Sequence, residues 1–207
     1  MRRLKYANMQ NQLKCYNCNE SVKEADIFCA SCGFVQPPSS VDYFTKLGMA
    51  RDFEIGIKNL EAAYFALQRK LHPDLFMRKS EKEKTISMQQ TMDINAAYET
   101  LKSPLKRAEY MLSLEGLVVN KDGRSSVKAS PALLMESMET REELEDADNA
   151  DEIRNLLIKN TEERMGCVDD IKENFEQNKL DQAAQNTIRL RYLEKLAEEI
   201  KRKLVSI

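Results

Sequence analysis

Ile57-Lys58-Asn59-Leu60-Glu61-Ala62-Ala63-Tyr64-Phe65-Ala66-Leu67-Gln68-Arg69-Lys70-Leu71-His72-Pro73-Asp74 is the most informative stretch of this 207-residue chain. Ile57, Leu60, Tyr64, Leu67 and Leu71 recur at three- and four-residue spacing, which predicts one apolar face of a helix. Proline disfavours helical backbone at the residue before it, so that helix is expected to stop near His72, the only histidine present. Lys58 and Arg69 point away from the apolar stripe and Lys70 lies on its flank. A positive outer face therefore leads into His72-Pro73-Asp74, and helix, turn and charge together predict a docking surface. Phe65 falls off the stripe and is left for packing against a neighbouring domain.

Downstream, Ile94, Ala97, Tyr98 and Leu101 form a second helical stripe. Arg78-Lys79-Ser80-Glu81-Lys82-Glu83-Lys84 reads as the polar loop joining two antiparallel helices, the second ending at Ser103-Pro104. The segment Ala96-Ala97-Tyr98-Glu99-Thr100-Leu101-Lys102-Ser103-Pro104-Leu105-Lys106-Arg107-Ala108-Glu109-Tyr110, with His72-Pro73-Asp74 and the opening Asp42-Tyr43-Phe44, resembles a J-domain, the module of DnaJ-type co-chaperones. More narrowly, residues 42 to about 207 resemble the HscB family, J-proteins dedicated to iron-sulfur cluster biogenesis.

Composition independently favours a small, soluble and mainly α protein. Charged residues make up 32% of the chain and it has only 6 glycines and 5 prolines, so helix dominates the coarse reading. A net charge of −2 gives no global attraction to nucleic acid, and no apolar run approaches the ~18–20 residues of a membrane span. Arg2, Arg3, Lys5 and Lys14 precede any acidic residue, a composition shared by mitochondrial transit peptides and by ordinary disordered termini.

Cys15-Tyr16-Asn17-Cys18 and Cys29-Ala30-Ser31-Cys32 are two Cys-x-x-Cys pairs separated by ten residues. Each pair can offer two thiolates to one tetrahedral metal, and Asn19 and Gly33, directly after the pairs, tolerate the left-handed backbone such turns need. Zinc suits four soft, anionic sulfurs, so one structural zinc ion is the expected cofactor, with iron as an alternative. Two disulfides, or redox-active Cys-x-x-Cys sites, are the competing readings. No secretory signal supports the first, and no βαβ pattern the second. So short a segment builds little apolar core, which leaves its folding to the metal. Cys167, in a helical stretch, reads as a packing residue.

Ser130-Pro131 is a good helix start, since serine caps and proline fits the first turn. In the helix that follows, Leu134, Met135, Met138, Glu139, Glu142 and Asp146 share one broad sector, while Leu133, Leu144 and Ala147 mark the opposite side. Periodicity alone favours burial of Leu134, Met135 and Met138. Two more helices are expected over 151–177 (Ile153, Leu157, Val168, Ile171, Phe175) and 180–204 (Leu190, Leu193, Ala197, Ile200, Leu204), completing a three-helix bundle.

The resemblance changes the reading of that sector. In HscB-like proteins the C-terminal bundle binds the scaffold IscU through an apolar and acidic patch on its first helix and an aromatic residue on its last. Carried over on Leu134-Met135-Glu136-Ser137-Met138-Glu139-Thr140-Arg141-Glu142-Glu143-Leu144 and on Leu190-Arg191-Tyr192-Leu193-Glu194-Lys195-Leu196, this implies scaffold contacts at Leu134, Met135, Met138, Glu139, Glu142, Asp146 and Tyr192. Met138, Asp146 and Tyr192 stand where leucine, glutamate and phenylalanine are common. The resemblance also implies that Lys58, Arg69, Lys70, His72, Pro73 and Asp74 engage a DnaK/HscA-type chaperone and stimulate its ATPase. The chain would then be an adaptor and not an enzyme.

The domain reading that follows is a basic segment over 1–14, a tetracysteine module over 15–36, a linker over 37–41, a J-domain over 42–115, a connector over 116–130 and the bundle over 131–207. The cysteine extension resembles that of some eukaryotic HscB proteins, which implies the mitochondrial matrix, with cytoplasm as the alternative. A homodimer is left open by the sequence. A general J-protein for unfolded clients and a zinc-dependent redox or interaction module are the rival functions.

Overall fold

The computed structural model describes residues 13–119 and 127–206. The basic start up to residue 12 and the connector's Asp122-Gly123 and paired serines lie outside the described residues. The chain divides into two compact units, Met1–Lys102 and Ser103–Ile207.

In the first unit a short antiparallel ladder, β1 (Leu13–Lys14) and β2 (Ser21–Val22), sets Leu13 opposite Val22. Three helices follow: α1 (Tyr43–Lys46), α2 (Ile57–Leu71) and α3 (Glu81–Lys102), with a 3-10 turn (Pro73–Phe76) between the last two. The α2 stripe behaves as its spacing predicts at Leu60 and Leu71, which are buried, and at Tyr64 and Leu67, which are partly so; Ile57, at the open N-terminal end, is exposed. On α3, Ile94, Ala97, Tyr98 and Leu101 are all buried. The Tyr64 and Tyr98 rings stack at 4.1 Å, and beside them Tyr64 donates to Asn95 Oδ1 at 3.0 Å while Gln68 donates to the same oxygen. An ion pair between Lys46 and Asp93 ties α1 to α3.

The charged stretch 78–84 is not all loop, because α3 begins at Glu81. Ser80 and Glu83 form a reciprocal cap: the Glu83 N–H donates to Ser80 Oγ and the Ser80 N–H to Glu83 Oε2, each at 3.3 Å. This Ser-x-x-Glu pair satisfies orphan donors of the first turn and starts the helix before its apolar stripe does.

The second unit contains α4 (Pro104–Leu114), α5 (Pro131–Asp146), α6 (Ala150–Glu176) and α7 (Leu180–Ser206). Ser103, Ser130 and Asn149 cap α4, α5 and α6 through their side chains, and proline follows the two serines at the first helical position. The last two helices match their expected spans to within two residues, and Asn178, at φ 54°, turns the chain between them. α7 is the central helix, packed by the other three. One core gathers Leu112, Val119, Leu133, Ala183, Ala184 and Ile188; a second gathers Leu144, Ala147, Ile153, Leu196 and Ile200. Arg191 holds α4 to α7 through Glu109 at 2.6 Å, and Arg189 holds α5 through Glu136 at 2.6 Å. Lys203 donates to the carbonyls of Leu144 and Glu145, where the α5 dipole favours a cation. Among the described residues no helix is long and apolar enough to cross a membrane.

Candidate functional site

The two Cys-x-x-Cys pairs fold as twin turns. The Cys15 N–H donates to the Glu20 carbonyl at 2.7 Å and the Asn19 N–H to the Cys15 carbonyl at 3.1 Å; Cys29 with Phe34 (3.0 Å) and Gly33 with Cys29 (2.9 Å) repeat the pattern. Asn19 and Gly33 occupy left-handed backbone, at φ 60° and 71°. The four sulfurs lie within 4.8 Å of one another, Cys15 to Cys32 at 3.6 Å and Cys18 to Cys29 at 3.7 Å. A tetrahedron with metal–sulfur bonds of about 2.3 Å has edges of about 3.8 Å, so the cluster fits a metal ion. Hydrogen-bond donors surround it: the Asn17 N–H and Gln36 Nε2 both reach Cys15 Sγ at 3.4 Å.

The charge balance of the cluster also asks for a cation. Burial pushes the Cys15 thiol up, but the backbone N–H groups of Cys18 and Asn17 and the neighbouring thiols outweigh it and bring Cys15 to about 6. At Cys18 the Glu20 backbone favours the thiolate, yet burial and the crowding of Cys32, Cys15 and Cys29 prevail and raise it to about 12. Packed side by side, the sulfurs do not all ionise unless positive charge sits among them. Cys167 is apart from this cluster: buried, it donates to the Asn186 carbonyl at 3.2 Å, and burial pushes its thiol up to about 11.

At the end of α2 the backbone of His72 leaves the helix (φ −55°, ψ 132°), as the following proline requires. His72 Nδ1 accepts the Asp74 N–H at 3.3 Å and lies 3.4 Å from Asp74 Oδ2, while the Leu75 N–H donates to the His72 carbonyl at 3.0 Å. The turn rests on buried Leu71 and Phe76, and Ser87 of α3 donates to the Leu71 carbonyl at 3.1 Å. Lys58, Arg69, Lys70, His72, Pro73 and Asp74 are all exposed. Leu75 and Met77, 57% and 69% exposed beside the turn, escaped sequence reasoning. The available signal was three consecutive apolar residues, Leu75-Phe76-Met77, in a turn able to bury only one of them.

On α5, Leu134, Met135 and Met138 are 43%, 62% and 61% exposed, so periodicity misread them as core. Glu139, Glu142 and Asp146 are exposed as well, and the helix buries Leu133 and Leu144 instead. Tyr192 differs from these six: it is half-buried on α7, packed against the Leu133 core and lining a shallow groove with Glu136, Ser137 and Arg189. The structure thus places the six α5 residues on solvent-facing backbone and the tyrosine on an adjacent helix.

Comparison with known proteins gives two family matches: the DnaJ domain over residues 42–110 and the HSCB C-terminal oligomerisation domain over 129–201. An iron-sulfur cluster co-chaperone protein HscB homolog of Arabidopsis thaliana is 38% identical over 191 residues, spanning 92% of this chain and 74% of that protein. The co-chaperone protein HscB of Proteus mirabilis is 40% identical over 164 residues, 77% of this chain and 94% of that one. The crystal structure of human co-chaperone protein HscB superposes with a TM-score of 0.86 at 29% identity, covering 94% of this chain and all of that one.

Proposed function

The chain belongs to the HscB family of iron-sulfur cluster co-chaperones, and on that premise we propose that it delivers an IscU-type scaffold to a DnaK/HscA-type chaperone and stimulates that chaperone's ATPase. The observation that carries this reading is the presence, on one chain, of two exposed surfaces of different chemistry: a basic helix running into His72-Pro73-Asp74, and an apolar, acidic face on α5. Among the described residues no ion pair within the chain engages Lys58, Arg69 or Lys70, so their charge is free to attract and orient an acidic partner. His72, Pro73 and Asp74 make the contact that triggers hydrolysis, and the ATP-cleaving groups belong to the partner. The J-domain work is assigned to 42–115 and scaffold binding to 131–207.

Leu134, Met135 and Met138 supply the desolvating contacts with the scaffold, Glu139, Glu142 and Asp146 set its orientation, and Tyr192 closes the edge from α7. Holding scaffold and chaperone on one molecule raises their effective concentration for each other and so promotes cluster transfer to an acceptor. Cys15, Cys18, Cys29 and Cys32 hold one zinc ion, whose contribution is structural: it carries no redox chemistry and fixes the twin turns. The chain's location is assigned to the mitochondrial matrix, with the cytoplasm as the alternative.

The deciding experiment is single-turnover ATP hydrolysis by a matched DnaK-type chaperone, with wild-type protein and His72→Gln, each with and without scaffold. Stimulation that requires His72 and rises synergistically with scaffold is expected. Stimulation indifferent to scaffold points instead to a general J-protein, and its absence removes the assigned role of the turn.

A further inference from the structure

The tetracysteine module and the His-Pro-Asp turn share one compact unit, and a line of buried polar contacts runs between them. Gln36 is buried and fully engaged. Its side-chain amide donates to Cys15 Sγ at 3.4 Å and to the Phe34 carbonyl at 2.8 Å, and its Oε1 accepts the Tyr16 N–H at 3.2 Å. The Gln36 carbonyl accepts Nε2 of Gln90, itself buried on α3, at 2.8 Å. One turn earlier on α3, buried Ser87 donates to the carbonyl of Leu71, the residue before His72. A buried amide or hydroxyl is costly to leave unpaired, so Gln36, Gln90 and Ser87 keep these partners, and the α3 backbone joins the last two.

Two further contacts keep the module from acting as a free tether. Lys82 Nζ of α3 lies 3.6 Å above the Tyr16 ring, and Ser40 of the expected linker folds back to donate to Glu24 at 2.6 Å. The side of α3 that receives the module is therefore the side that supports the turn.

We propose that the tetracysteine module is a metal-dependent brace for the chaperone-docking turn: metal at the four cysteines fixes Gln36, Gln36 fixes α3 through Gln90, and α3 holds the start of His72-Pro73-Asp74 through Ser87. This goes beyond the functional reading and rests on it only for the metal at the four cysteines; the coupling itself has a structural readout that needs no chaperone.

Hydrogen exchange on the full chain tests it, zinc-loaded and after chelation. Amides of residues 71–76 are expected to exchange about fivefold or more faster without metal, the lower end of ordinary coupling between sites, while amides of α6 and α7 stay unchanged. In Gln90→Leu, with mass spectrometry checking that one metal per chain is kept, exchange at 71–76 is expected to become insensitive to metal. Coupling is reciprocal, so equilibrium competition with a chelator shifts toward metal loss by the same factor. Ser87→Ala breaks the line at its other end and is expected to leave 71–76 insensitive to metal in the same way, which covers a Gln90→Leu that fails to fold. Chelation that leaves 71–76 unchanged, or metal sensitivity that survives in folded variants, overturns the brace. Loss of ATPase stimulation with exchange coupling intact would instead count against the functional reading alone.

Discussion

The cysteine module and the C-terminal bundle solve the same folding problem with opposite means. Around the module one small apolar cluster gathers Cys15, Val22 and Cys29, with Cys18 and Phe34 at its edge, Val35 is buried as well, and the order comes from backbone turns converging on four sulfurs. The bundle has two aliphatic cores strung along α7, and its lone cysteine is simply part of the packing. A fold that short cannot remove enough apolar surface from water to offset its chain entropy, whereas three long helices and α4 can. The two regions should therefore fail under different insults.

Metal removal is the largest expected effect. Binding at a tetracysteine site supplies on the order of 10 kcal/mol, far more than the module's small core, so chelation should abolish exchange protection across 13–36 and leave the bundle's thermal transition in place. Persisting protection without metal would show that the two regions are less different than their cores indicate. The converse insult is Ile171→Ala. Ile171 is fully buried on α6, and its truncation should cost about 2–5 kcal/mol of bundle stability in a thermal or denaturant melt, with metal stoichiometry unchanged.

A third change sharpens the comparison within the bundle itself. Leu134→Ala with Met138→Ala removes exposed apolar surface, so stability should move by no more than about 0.5 kcal/mol. Scaffold affinity should nevertheless fall about tenfold or more, because side chains that anchor an interface commonly carry over 1 kcal/mol each. Unchanged affinity by isothermal titration, with a folded double variant, would remove the α5 face from the scaffold site.

This contrast also explains what the sequence made legible. Short-range rules worked wherever local chemistry governs: proline after His72 ended α2, Ser130-Pro131 opened α5, and Asn19 and Gly33 took the left-handed positions of the cysteine turns. Periodicity worked for α6 and α7, whose long contact leaves a clear buried stripe. It failed on α5, where apolar residues occur on both sides and spacing cannot say which side meets α7; the family resemblance supplied the exposed side. The capping pair Ser80 and Glu83 was readable but overlooked inside a charged run. Gln36 and Gln90 were not readable at all. They stand 54 residues apart, and a lone glutamine carries no sign of burial until the fold brings its partner to it.

The smallest expected effect concerns pH and sets the two kinds of cysteine against each other. Burial raises the Cys167 thiol from its ordinary value near 9 to about 11, so the folded bundle holds that proton more tightly than the unfolded chain does. The resulting stability is complete below pH 9 and is lost as pH rises through about 11, the window between the unfolded and folded values. The module's thiols should follow the reverse order of reactivity: once metal is withdrawn at pH 8 they should react with a thiol reagent at once, while Cys167 waits for the bundle to open. Cys167→Ala should flatten the alkaline loss of bundle stability without touching metal binding, and a variant with an unchanged alkaline profile would place that loss elsewhere. On the proposed assignment one set of cysteines is ordered by the cation its thiolates would attract, whereas Cys167 stays in place because the helices around it exclude the water a thiolate needs.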